Sequence, residues 1–503
     1  MNQIKVGAIV SYISIAVNIL IGIVYTPWMI NSIGKESYGL YILATSVITL
    51  FMFDFGLGNA VTRFVSKYIV EKRFDKVNDF LGQVVKLYLS IDVVLIIVLT
   101  SVYFFIPSIY KELSPNEIEQ FEVVYSIAAI FSVISFPCIP FDGIITAQEK
   151  FVQLKSCELF NKIFIVILMS ICLKFGYGLY ALVAINAISG IITICLKFYI
   201  IKRSSNINPN IHYKNKDEFY ELASYSSWVT IGALAQRLIF NIAPTILGIV
   251  SGSAEIAFFG IAMTFEGYVF TFASALNGLF LPTVTRLVHS SPELLTSLMI
   301  RVGRIQIVII GLLITGFIAV GYDFIVLWLG MDYSIVYYCV ILLIIPSFFF
   351  LPQLIGSNAI LALNKVKKQA QVYTIMGLFN FVVGTILAYR FGALGFSISV
   401  FCAYTIRTIG LDRIFKKDLH IDVPYFFKES YIAMSPSLLI SMFIALTLMC
   451  IDLNLSWWSF VVKSCVFCII YILIFFIFSL RKEEKQLFIQ PFRKLQAFKT
   501  YEK

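Results

Sequence analysis

Fourteen long apolar runs, separated by short polar or charged connections, restrict this chain more than any other feature. They cover approximately 6–30, 38–60, 84–107, 120–145, 157–174, 178–201, 222–250, 255–282, 303–329, 334–363, 370–389, 392–412, 429–451 and 457–480. A bilayer core about 30 Å thick is crossed by roughly 20 apolar residues in helical form. Hydrocarbon satisfies no free backbone group, so each run is predicted to be a helix. Composition supports the same reading: 59% of the 503 residues are hydrophobic and 14% charged, against about 45–50% and about 25% in soluble domains. A soluble fold could not cover this much apolar surface, and a disordered chain would need the opposite balance. The expected fold class is an all-α polytopic membrane protein of about fourteen transmembrane helices. The first run is too long for a signal-peptide core and no small-residue cleavage site follows it, so it reads as a retained span.

The connections set the orientation. With the N-terminus placed in the cytoplasm, about 30 Lys and Arg fall on that side and about 4 (Lys35, Lys111, Lys174, Arg390) on the other. The positive-inside rule then puts both termini in the cytoplasm. The net charge of +10 is the sum of this asymmetry, scattered over eight segments, and forms no face for nucleic acid. The connections are too short to hold a soluble domain, and no DxD metal motif occurs, which favours a transporter over a membrane glycosyltransferase or polymerase. Nearly all nine Cys fall inside apolar runs, as small buried hydrophobes do. Cys465 and Cys468 have CxxC spacing within an apolar helix and read as packing. His212, His289 and His420 lie in polar connections, so neither a metal site nor His catalysis is expected.

A repeat underlies the pattern. Val61-Thr62-Arg63-Phe64-Val65 ends the second run and Val284-Thr285-Arg286-Leu287-Val288 the eighth; Tyr38-Gly39 and Phe259-Gly260 open the same two. An offset of about 217–223 residues spans six helices, so the halves share one orientation and are related by an axis along the membrane normal. The expected organisation is a six-helix lobe at 1–203, a cytoplasmic linker at 204–216, a second lobe at 217–415, an extra helix pair within 416–480 and a basic cytoplasmic tail at 481–503. A site would lie between the lobes near the midplane.

The stretch Gly34-Lys35-Glu36-Ser37-Tyr38-Gly39-Leu40-Tyr41, then Asp54-Phe55-Gly56-Leu57-Gly58-Asn59-Ala60 and Arg63, resembles the N-terminal signature of the Wzx-like polysaccharide (O-antigen and exopolysaccharide) flippases. These belong to the multidrug/oligosaccharidyl-lipid/polysaccharide (MOP) exporter superfamily. Leu281-Pro282 and Arg286 resemble the second half of that family. The resemblance extends over the chain in span count and repeat, but at motif level it is confined to these stretches. It implies two lobes around a V-shaped cavity that opens to alternate sides. The implied substrate is an undecaprenyl- or other polyprenyl-pyrophosphate-linked oligosaccharide, flipped across the bacterial cytoplasmic (inner) membrane for O-antigen, lipopolysaccharide, capsule or exopolysaccharide synthesis. A lipid II flippase and a multidrug or cation antiporter of the same superfamily are the alternatives. The antiporter would want a carboxylate in the first span, and 6–30 has none.

Ionisable residues within spans are the candidate site. Arg237 lies about a dozen residues from either end of its run, too deep to reach the interface, with Asn241 one turn away. Its guanidinium can either pair with Glu266 of the next run or meet a pyrophosphate through two parallel hydrogen bonds. Lys162 follows Glu158 by one turn and either pairs with it or lines the cavity. Arg63 and Arg286, at matching inner ends, either anchor the spans or greet an anionic headgroup. Asp54, Asp92 and Asp142 read as the buried acids of the first lobe. Asp92, Asp54 and Glu266 are candidates for coupling or ion pairing. Lys86, Lys197 and Lys463 lie near span ends, where long stems reach the interface. No cofactor is expected beyond coupling to an H+ or Na+ gradient. Expected partners are the lipid-linked oligosaccharide, membrane lipid, a polysaccharide polymerase and glycosyltransferases, with the chain itself a monomer.

Overall fold

The structure, a computed structural model, describes residues 19–51, 57–204, 207–213, 241–277, 284, 287–288, 292–363, 365–451 and 454–485. All regular structure among them is helical. Nine of the described helical segments are long and apolar enough to cross a membrane: Phe74–Ile109, Pro115–Ala147, Phe151–Lys174, Leu179–Arg203, Glu293–Leu329, Met331–Ala362, Val366–Asp418, Val423–Cys450 and Trp457–Ser479. They account for ten predicted runs, because the 53-residue segment Val366–Asp418 contains two. The first run is described from Ile19 as the shorter helix Ile19–Ile33. The second emerges as Lys35–Phe51 and Leu57–Val70, and the eighth as Ser253–Asn277. Most of the seventh lies outside the described residues, which resume before the helix Ala243–Val250.

The break inside Val366–Asp418 has a local cause. Gly392 adopts φ 55° and ψ −136°, a region that only glycine enters without strain. The chain turns there, and the amide of Ala393 opens the next helix by donating to Glu255 Oε2 at 2.7 Å. A Cβ on Gly392 would lie 2.3 Å from that same carboxylate oxygen. Gly392→Ala is therefore expected to cost about 2 kcal/mol in backbone strain alone, with the cap displaced as well. A thermal-melting comparison in detergent checks this; Glu255→Gln, which keeps an accepting oxygen, should melt closer to wild type.

The chain forms two compact units, residues 1–263 with 366–403, and residues 264–365 with 404–503. In the first, Phe151–Lys174 packs on Leu179–Ser204, Pro115–Ser135 on Lys35–Phe51, and Leu57–Val70 on Pro140–Ala147. Residues of the predicted linker are fixed to the start of Phe74–Ile109. Asn208 N donates to Asn78 Oδ1 (2.9 Å), Asn210 N to Asn78 O (2.8 Å), Asn210 Nδ2 to Asp79 Oδ1 (2.7 Å) and Lys86 Nζ to Tyr213 O (2.9 Å). In the second unit, Pro292–Leu329 is the central helix, flanked by Ser334–Phe350, Ala433–Cys450 and Trp457–Ile474.

Three lysines depart from the expectation that their stems simply reach the interface. Lys86 binds the linker carbonyl just described, Lys197 pairs with Asp142 at 2.6 Å, and Lys463 is buried and pairs with Asp323 at 2.8 Å. Lys197 and Lys463 find their partners on neighbouring helices, and Lys86 finds its partner in the linker.

Candidate functional site

An uncompensated charge away from water is costly, so the buried ionisable groups are where function and structure compete. Among the described residues these are Asp92, Glu266, Arg304, Arg407, Lys463 and Glu484. Lys463 is held by Asp323. Arg304 is fully engaged. Its Nε and Nη2 donate to the two oxygens of Glu484 (2.6 and 3.1 Å), Nη1 to Glu429 O (2.7 Å) and Nη2 to Ser479 O (2.7 Å). Such an arginine has nothing left to offer a ligand.

Arg407 is different. It is 4% exposed, and its Cζ lies 3.7 Å from the centre of the Phe350 ring and 4.2 Å from that of Tyr404. The guanidinium is thus in cation–π contact with two aromatic rings, an environment that suits arginine's planar, delocalised charge better than an ammonium. Its Nε has no hydrogen-bond partner among the described residues. The carboxylate that compensates it electrostatically is Glu266, itself buried. Nearby on the same helix, Asp412 is half-buried, and its Oδ1 has no partner among the described residues. The second unit therefore contains a buried polar seam with hydrogen-bonding capacity to spare. An anionic group reaching it would find the unpartnered Nε of a guanidinium already set against two rings.

The seam meets the sequence-based expectations at one residue, Glu266. Arg237, its predicted partner, lies outside the described residues, as do Arg286 and Asp54. Asn241 is half-buried in the turn before Ala243–Val250. Arg63 lies on the helix Leu57–Val70, but its side chain is outside the described residues. Lys162 is half-buried on Phe151–Lys174, and Glu158 pairs instead with Lys155 at 2.9 Å. The carboxylate thus takes the i,i+3 partner rather than the i,i+4 one. Asp92 is 7% exposed, and one carboxylate oxygen has no partner among the described residues.

By sequence alone Arg407 and Arg304 read as two of the inner-side topology charges. The signal that could have singled them out is the helical register. The apolar pattern after Gly392 continues through Ile406, Ile409, Leu411 and Ile414, so Arg407 lies inside a helix that runs to Asp418.

The family model described as "Polysaccharide biosynthesis protein" matches residues 4–288. No curated protein matches the chain. Among solved structures, it is similar to the lipid II flippase MurJ in an inward closed conformation, with a TM-score of 0.69 and 16% identity over 97% of this chain and 99% of that one. It is also similar to an inward-facing multidrug resistance MATE family transporter of the MOP superfamily (TM-score 0.63, 15% identity, 78% of this chain and 92% of that one). A Vibrio cholerae MATE transporter in the bent form gives a TM-score of 0.54 at 13% identity, over 85% of this chain and 100% of that one. At these identities the likeness establishes the fold alone, an all-helical, multi-pass membrane fold shared with these transporters.

Proposed function

Because the chain belongs to the polysaccharide biosynthesis protein family, we propose that it is a flippase carrying a polyprenyl-pyrophosphate-linked oligosaccharide across the bacterial cytoplasmic membrane by alternating access. The observation that carries this reading is Arg407: a buried guanidinium set against two rings with an unspent donor, in a helical membrane chain without a soluble catalytic domain among its described residues. Flipping has no chemical step. The carrier replaces the hydration that sugar and phosphate lose, since an unpaired polar group in hydrocarbon costs several kcal/mol. In this reading the lobes at 1–203 and 217–415 enclose the path, with both termini cytoplasmic. Arg237, Asn241, Lys162, Arg63 and Arg286 attend the substrate; Asp92, Asp54 and Glu266 serve coupling or pairing. Arg407 joins the first group, and Glu266 is the internal anion that substrate phosphate displaces.

The likeness to the lipid II flippase over nearly the whole chain favours one second reading, a carrier of lipid-linked peptidoglycan precursor. A deletion strain separates the two. Loss of surface polysaccharide with retained viability supports the main reading, and lysis supports the second. Increased drug sensitivity alone would point instead to an antiporter. Within the main reading, Arg237→Ala is expected to abolish surface polysaccharide while Arg237→Lys partly retains it, at expression matched by immunoblot.

A further inference from the structure

Two glycines of the repeated motif meet in one helix crossing of the first unit. A Cβ on Gly39 would lie 2.0 Å from the backbone oxygen of Ser253, and a Cβ on Gly260 would lie 2.2 Å from Ile42 Cδ1. Each glycine clears the space into which the other helix passes, so Lys35–Phe51 and Ser253–Asn277 approach more closely than any larger residue would allow. One of these helices precedes the predicted linker and the other follows it. Neither glycine has a positive φ, so close approach is what requires them.

Beside this dry crossing lies a polar contact of a different kind. The Ser253 hydroxyl donates to Glu117 Oε1, while Glu117 Oε2 accepts from Ser114 N at 2.8 Å. The Ser114 hydroxyl in turn accepts from Glu117 N, completing a capping box at the start of Pro115–Ser135. One oxygen of the carboxylate is thus committed to its own helix and the other reaches across. If the helices part, Glu117 keeps its cap and is not orphaned, so the contact can be broken and remade at the cost of one hydrogen bond. Gly39, Glu117 and Ser253 all lie near helix starts on the side that carries few Lys and Arg, the outer side under the proposed orientation.

We propose that this crossing is the outer gate of the carrier and that Glu117 is the positioning residue that latches it, through Ser253. The inference rests on the flippase reading for its meaning and on the crossing for its geometry. Opening the outer side requires Gly39 to leave Ser253 and Ile42 to leave Gly260, and the latch sets how often that happens.

The test uses the full chain with its nine cysteines replaced by serine and Ile42→Cys added. A membrane-impermeant maleimide applied to intact cells labels that cysteine slowly while the gate is shut. Ser253→Ala removes the latch without touching the cap and is expected to raise the labelling rate about 10-fold, the scale for one hydrogen bond to a charged acceptor. Ser114→Ala breaks only the cap and should leave the rate within about twofold of the parent. An unchanged rate in both Ser253→Ala and Glu117→Gln would overturn the latch. In a second arm, Ile42→Cys with Gly260→Cys places two β-carbons within disulfide reach. Oxidation should stop glycan export and reduction restore it; a quantitatively cross-linked protein that exports at the parental rate would overturn the gate. Labelling does not depend on the cargo, so faster labelling in Ser253→Ala together with normal surface glycan in the deletion strain would uphold the gate and reject the polysaccharide reading.

Discussion

Replacing Arg407 with alanine is expected to lower surface glycan at least ~10-fold at equal protein level, and Arg407→Lys should recover little of it. The physical reason lies in how the guanidinium is held. The Phe350 and Tyr404 rings lie against it, and the buried Glu266 carboxylate acts on it electrostatically. An ammonium has no planar, delocalised charge to set against the rings, so lysine supplies the charge without the orientation. The structural explanation of such a loss is that Glu266 becomes a buried, unpaired anion and the unit unfolds. The double variant Arg407→Met with Glu266→Gln distinguishes the two. Removing both charges together relieves the stranded anion, and such replacements are often neutral for stability. A purely structural pair would then regain both melting temperature and export. A guanidinium that meets the substrate phosphate would regain melting temperature only. Recovery of export in the double variant would remove Arg407 from the transport path.

The path from sequence to this residue shows what apolar pattern can and cannot reveal. Run lengths predicted the helices because backbone satisfaction in lipid admits almost nothing else. The boundary at Arg390 and Gly392 was visible because a single glycine interrupts an otherwise continuous apolar register, and the turn lies at Gly392. Glu266 was visible as a lone acid in the middle of a run, and it is buried. Its neighbour Arg407 was not, because a basic residue near the edge of an apolar run reads identically whether it faces the headgroups or lies against two rings. That distinction depends on Phe350, which is 57 positions earlier in the chain. For the same reason spacing offers Lys162 as one partner for Glu158, whereas the carboxylate pairs with Lys155. Local periodicity determines which face a residue occupies, but the identity of its partner is settled by tertiary packing.

The largest expected loss of stability is at Arg304. Its four hydrogen bonds draw together four separate places: the central helix Pro292–Leu329, the π-helical turn Lys428–Ile432, the π-helical turn Phe475–Ser479 that ends the last span, and Glu484 beyond it. Both turns direct a carbonyl at the guanidinium, Glu429 O and Ser479 O. A π-turn opens its backbone ladder, and here the arginine fills the positions left open. Arg304→Leu strands the Glu484 carboxylate and two carbonyls at once, so a cost of about 3–5 kcal/mol is expected, read as a fall of several degrees in the melting midpoint in detergent. Arg304→Lys should lie between, since one ammonium cannot span four acceptors. Burial pushes the Glu484 carboxyl upward, but hydrogen bonds from Arg304 and the Arg481 amide outweigh it and hold the group below its ordinary value of 4.5. A depressed carboxylate contributes stability that is complete above the unfolded value and is lost as pH falls through the folded one. Wild type should therefore lose melting temperature on acidification below about pH 4.5 more steeply than Glu484→Gln, which has no charge to lose. Equal slopes for the two proteins would show that the charge on Glu484 contributes nothing, and an Arg304→Leu midpoint equal to wild type would show that the two π-turns hold without the arginine between them.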